Sequence, residues 1–106
     1  MLFDKNQIKK LNEEKLELIN RRRRQILVHS YLYYKMNTNI INDYTFDNWC
    51  RELMSLQAQY PNESKQGVFS KLFSKWTGFS GYDLFRNAPD VESWAQRKAQ
   101  YLTSLQ

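Results

Sequence analysis

Tyr31-Leu32-Tyr33-Tyr34-Lys35-Met36-Asn37-Thr38-Asn39-Ile40-Ile41-Asn42-Asp43-Tyr44-Thr45-Phe46-Asp47 is the stretch whose reading decides the fold. Asn37-Thr38-Asn39 gathers three short polar side chains that compete for backbone hydrogen bonds, so a helix arriving from the N-terminal side should stop there. Asn42 then suits a helix N-cap, and Asp43 puts a negative charge in a first turn, where the helix dipole favours it. The stretch reads as the polar bend of an antiparallel helical hairpin.

Working outward, Ile8, Leu11, Leu18, Ile19, Ile26 and Tyr33 recur near the 3.6-residue period and predict one long helix over residues 5–36. Lys15 and Arg22 interrupt that face, and their stems are expected to lie along a neighbour. Beyond the bend, Phe46, Trp49, Cys50, Leu53, Leu56 and Tyr60 predict a second helix over 43–60, ended by Pro61. Val68, Phe69, Leu72, Phe73 and Trp76 mark a third over 65–77, with Gly67 weakening its first turn and Gly78 closing it in the left-handed conformation. Phe79 to Phe85 read as a loop or a single turn. Pro89 at a first helical position, with Asp90 beside it, opens a fourth helix over 89–105 striped by Val91, Trp94, Ala95, Tyr101, Leu102 and Leu105. The expected class is all-α: a long helical hairpin, 5–36 and 43–60, covered by two further helices.

At 106 residues the chain has room for one domain with one modest core. Its 42% apolar content argues against disorder, and no apolar run reaches the roughly 18 residues of a membrane span. Polar residues from Asp4 to Gln7 stand where an export signal would need an apolar core, so a cytoplasmic location and no membrane contact are expected. Cys50 and His29 are single, which leaves no disulfide framework or zinc-ligand set, and both are read as structural. The formal charge of +5 sits in residues 1–35, where nine basic side chains face four acids. Arg21-Arg22-Arg23-Arg24 is its densest part. Four consecutive residues ring a helix, so two or three at most can face one partner, whether nucleic acid or an acidic protein surface.

Asp43 and Asp47 stand four apart on one helix face, pointing across the bend toward Tyr31, Tyr33 and Tyr34. Two like charges so placed want a partner. A positively charged flat ring would stack on tyrosine by cation–π attraction while its polar substituents bond the carboxylates. The plainer roles are packing for the tyrosines, helix capping for Asp43 and pairing with Arg51 for Asp47.

Tyr31-Leu32-Tyr33-Tyr34-Lys35-Met36-Asn37, then Asp43-Tyr44-Thr45-Phe46-Asp47, then Arg51-Glu52-Leu53 and Tyr60-Pro61, resembles the N-terminal Ia domain of bacterial NAD+-dependent DNA ligases. The likeness spans 11–63, a ligase Ia-like hairpin, with 64–106 as a C-terminal helical cover completing one domain. It implies that Tyr33 and Tyr34 contact the nicotinamide ring of NAD+ or nicotinamide mononucleotide, with Asp43, Phe46 and Asp47 at the remaining ligand positions. Three residues depart from the pattern: Phe46 for a tyrosine, Asn37 for an aspartate and Asn39 for a proline. The Lys-x-Asp-Gly adenylation motif occurs nowhere in the chain, so these residues alone should not ligate DNA.

The leading expectation is a non-catalytic binding module, with no required cofactor, that retains or repurposes recognition of the nicotinamide nucleotide. Two alternatives stay open. One is an accessory or inhibitor protein of the phage type that binds a host protein or nucleic acid through Arg21 to Arg24. The other is a split-ligase subunit serving a separate adenylation chain.

Overall fold

The computed structural model describes residues 4–78 and 82–106, and the expected loop at Phe79-Ser80-Gly81 lies outside them. Five α-helices and one 3₁₀ turn follow in order, with no strand among the described residues: α1 Lys5–Lys35, α2 Asp43–Gln59, α3 Pro61–Gln66, α4 Ser70–Ser74, the 3₁₀ turn Tyr82–Phe85, and α5 Pro89–Ser104. The all-α hairpin is thus present. Helix α1 starts at a capping box, where the Asp4 side chain accepts from Gln7 N and the Gln7 side chain accepts from Asp4 N. It stops where Asn37 turns left-handed at φ 52°, a conformation asparagine tolerates, and the Thr38 N–H donates back to the Leu32 carbonyl at 3.0 Å. Asn42 caps α2 as read, its Oδ1 accepting from Thr45 N at 2.8 Å.

The side-chain partners fix the helices' directions. Lys15 lies over the Tyr60 ring, Arg22 reaches Glu52 at 3.3 Å, and His29 meets Trp49, so α2 runs antiparallel to α1. Lys15 and Arg22 therefore lay their stems along α2, as expected. Helix α5 also packs on α1, with Lys35 paired to Glu92 at 3.7 Å and Val28 and Leu32 sharing a buried cluster with Ala99. The main core joins Ile19, Ile26 and Leu27 to Cys50, Leu53 and Leu56, and is closed by Phe73, Leu84, Phe85 and Ala95.

The expected third helix over 65–77 is corrected. Pro61 ends the α2 ladder because it has no N–H to donate, yet its fixed φ suits a first helical position, so α3 restarts there at once. The second break comes at Gly67 to Phe69, where Phe69 is left-handed at φ 56°, a strained setting for a bulky residue. Gly67 is a matter of space: a Cβ there would sit 2.7 Å from both Arg23 Nη1 and Asn20 Oδ1. Those two side chains clamp the connection. Asn20 Oδ1 accepts from Val68 N at 2.8 Å, and Arg23 donates to the carbonyls of Val68 and Ser64 at 2.8 and 2.9 Å. Gly78 is left-handed at φ 85° as read, although α4 has already ended at Ser74.

Candidate functional site

Tyr33 and Tyr34 end α1 and meet edge to face, with ring centroids 4.8 Å and planes 90° apart. Tyr33 is 50% and Tyr34 39% exposed, so the core does not absorb either ring. Across the bend, Asp43 opens the first turn of α2 and Asp47 follows one turn later on the same face. Met36 and Ile40 pack inward against the cluster of Val28, Leu32 and Ala99, and the bend keeps one open side. There Tyr33, Tyr34, Asp43, Phe46 and Asp47 line one cleft of about 220 Å³, together with His29, Leu32 and the bend residues Thr38 to Asn42.

Tyr31 does not join them. It stands two residues before Tyr33, on another side of α1, and packs edge-on to Phe85 with centroids 5.8 Å apart. Arg51 donates to Asn48 Oδ1 at 3.1 Å instead of pairing with Asp47. Among the described residues no salt bridge reaches Asp43 or Asp47, so two carboxylates face the cleft without a neutralising cation.

His29 belongs to the cleft, whereas the sequence reading treated it as merely structural. Its place four residues before Tyr33 on one helix face was the available signal. The half-buried imidazole lies edge-on to Trp49 at 5.2 Å, and Arg22 stacks over the same indole at 5.9 Å. Burial lowers the His29 pKa below the ordinary imidazole value, which keeps the ring neutral at pH 7. Of the residues lining the cleft, only His29 can acquire positive charge. Cys50 lies behind the site in the core. Burial, reinforced by the charge of Asp47, pushes its thiol up to about 11, which removes it as a nucleophile at neutral pH.

The arginine belt is corrected most sharply. Arg23, counted among the partner-binding residues, is 1% exposed and lies over the Phe73 ring. Its Nε donates to Gln57 Oε1 at 3.0 Å, and Nη2 adds a bond to Ser64 Oγ at 2.7 Å beside the two carbonyls already named. It is a buried tie between α1, α2 and the Gly67 turn. Arg22 faces α2, donates to Gln25 Oε1 at 2.6 Å and is largely covered. Arg21 and Arg24 alone remain on the surface, and Arg21 already pairs with Glu17 at 3.4 Å. The described residues hold no group of three His, Cys, Asp or Glu placed to bind a metal, and no helix long and apolar enough to cross a membrane.

Comparison with known proteins points to the same stretch. A family model described as the DNA ligase-like, N-terminal NAD+-binding domain matches residues 9–66. The chain is 36% identical over 53 residues to the DNA ligases of Thermotoga petrophila and Thermotoga maritima, half of this chain but 8% of each ligase. It is 33% identical over 54 residues to the Thermotoga neapolitana DNA ligase, 51% of this chain and 8% of that enzyme. No solved structure matches.

Proposed function

The chain belongs to the family of DNA ligase-like, N-terminal NAD+-binding domains, and on that footing we propose that its bend cleft holds the nicotinamide mononucleotide half of NAD+ without reacting with it. The observation that carries this reading is convergence: the five residues singled out by resemblance line one open cleft, drawn from the end of one helix and the start of the next. At about 220 Å³ the space falls below the roughly 300–1,000 Å³ usual for whole drug-sized ligands, which suits one ring and its sugar better than a complete dinucleotide.

The roles follow from side-chain chemistry. Tyr33 and Tyr34 offer two perpendicular π faces to the ring. Asp43 and Asp47, both acceptors when ionised, take hydrogen bonds from the carboxamide and the ribose hydroxyls. Phe46 supplies an apolar wall with no hydroxyl to donate. The adenylation motif is not among these residues, so any adenylyl transfer would be carried out by residues outside them, to which this module would present the nucleotide. Docking of nucleic acid or an acidic protein through the arginine belt is the weaker reading, because Arg23 is internal and Arg22 is turned onto α2.

Isothermal titration with nicotinamide mononucleotide tests the proposal. Binding should weaken about tenfold or more in Tyr33→Ala and in Asp47→Asn, as expected for loss of one stacked ring or one charged acceptor. A folded wild-type protein that gives no heat or spectral change at millimolar ligand would overturn it.

A further inference from the structure

We infer that the start of α1 is a self-association surface, on which a second copy of this chain lays the same helix antiparallel so that Lys9 of each copy meets Glu13 of the other. The surface lies at the opposite end of α1 from the bend cleft, and the inference is independent of the nicotinamide reading.

Three observations carry it. The first is an overhang. At about 1.5 Å per residue, the 31-residue α1 runs about 46 Å and accounts for the 48 Å long axis of the molecule, whereas the 17-residue α2 runs only about 26 Å. Lys15 already lies over Tyr60 at the end of α2, so residues 5–14 of α1 project past the hairpin. The first buried residue of α1 is Ile19. Second, the core-facing stripe does not stop where α2 stops. Ile8 continues the line of Lys15, Ile19 and Ile26 at helical spacing, yet it is 46% exposed. With Leu16 it floors an open groove of about 400 Å³ that only α3 borders from across, through Glu63 and its neighbour one turn on. A helical end of this kind draws its stability from packing one face, and the groove leaves that face to a partner.

Third, the charge is self-complementary, which selects a second copy as the occupant. Lys5 and Lys9 stand at the outer end of the groove and Glu13 and Glu63 toward its inner end, and among the described residues no salt bridge reaches any of the four. Two positive and two negative side chains leave the lining neutral, which matches neither a nucleic acid nor a strongly acidic protein. Laid parallel, two copies would set lysine on lysine and glutamate on glutamate. Laid antiparallel about a two-fold axis level with Leu11, midway between Lys9 and Glu13, each copy sets Lys9 on the other's Glu13 and Lys5 toward the other's Glu63, while Ile8 enters the apolar groove. The two-fold makes every such pair twice.

Sedimentation equilibrium of the wild-type chain over about 0.01–1 mM protein at low salt should show a monomer–dimer equilibrium, weak as suits an interface at the small end of the size range, and added salt should weaken it further. Lys9→Glu and Glu13→Lys should each weaken dimerisation about tenfold or more, since each turns two attractions into two repulsions. Mixed in equal amounts, the two variants should pair with each other about as strongly as the wild type does, because one is then acidic and the other basic at both positions. Both positions are exposed and precede the first buried residue of α1, so far-UV circular dichroism should show an unchanged fold. A wild-type chain that stays monomeric at the highest concentration overturns the inference, and so does a dimer that neither reversal weakens or a mixture that fails to recover. Each of these results leaves the nicotinamide proposal standing.

Discussion

Replacing Arg23 by Met should cost the fold several kcal/mol, although the residue sits in a run of four arginines that reads as surface. Met keeps the length and apolar character of the stem over Phe73 but removes every donor. The Val68 and Ser64 carbonyls and Gln57 Oε1 then lose partners that now stand at 2.8, 2.9 and 3.0 Å. An acceptor left unsatisfied costs about 1–3 kcal/mol where it is buried, and these three bonds are only part-buried, so the gross loss is at most roughly 3–9 kcal/mol. Part is returned, because the buried guanidinium is itself poorly solvated, as its pKa lowered to about 10 by burial indicates. The net loss should be about 3–5 kcal/mol, in line with removing one side of other buried charged networks. Against a total stability of about 5–15 kcal/mol, the urea midpoint should fall sharply at constant slope, and the Tm by roughly 12 °C or more. Arg21→Met and Arg24→Met, at exposed positions, should each stay within about 0.5 kcal/mol. Far-UV circular dichroism during urea titration measures all three. A loss under about 1 kcal/mol for Arg23→Met, matching the other two, would refute the tie and return Arg23 to a solvated belt.

Further outcomes follow from the same structure. Gly67→Ala should destabilise the protein by about 1–3 kcal/mol, since the added Cβ lands on Arg23 Nη1 and Asn20 Oδ1, and thermal melts will show it. The lowered His29 pKa means that the unfolded chain takes the proton first. His29 therefore subtracts no stability well above pH 6.5, and stability is lost as pH falls from there through the folded value. His29 faces Asp43, Asp47, Tyr33 and Tyr34 in the cleft, with Arg22 and Glu52 beyond Trp49, and His29→Gln should flatten that limb of the melting profile without touching the carboxylate limb. Cys50, pushed up to about 11, should resist alkylation at pH 8 and react once urea opens the core.

The hairpin was legible because its determinants are local. Two apolar runs at helical spacing, an Asn-Thr-Asn break and an Asn42 cap lie within a few residues of what they control, and the structure repeats them nearly residue for residue. The bend site was legible for the same reason, since Asp43 and Asp47 share a face by spacing alone. What escaped depends on distant partners. The acceptors of Arg23 lie at Gln57, Ser64 and Val68, so four arginines in a row gave no sign that one points inward. Pro61 was read as a stop when it is both a stop and a start, and the left-handed Phe69 is held by Asn20 on Val68 N and by Trp94 against its ring. Tyr31 was grouped with Tyr33 and Tyr34 by adjacency, although a step of two residues turns it toward Phe85.

The most direct measurement is a two-dimensional NMR titration of the wild-type chain with nicotinamide mononucleotide. The account predicts saturable shifts concentrated at His29, Tyr33, Tyr34, Asp43, Phe46 and Asp47, with Arg21, Arg24 and the α5 surface unmoved. Saturable shifts centred on Arg21 and Arg24 instead, or none at millimolar ligand, would contradict it.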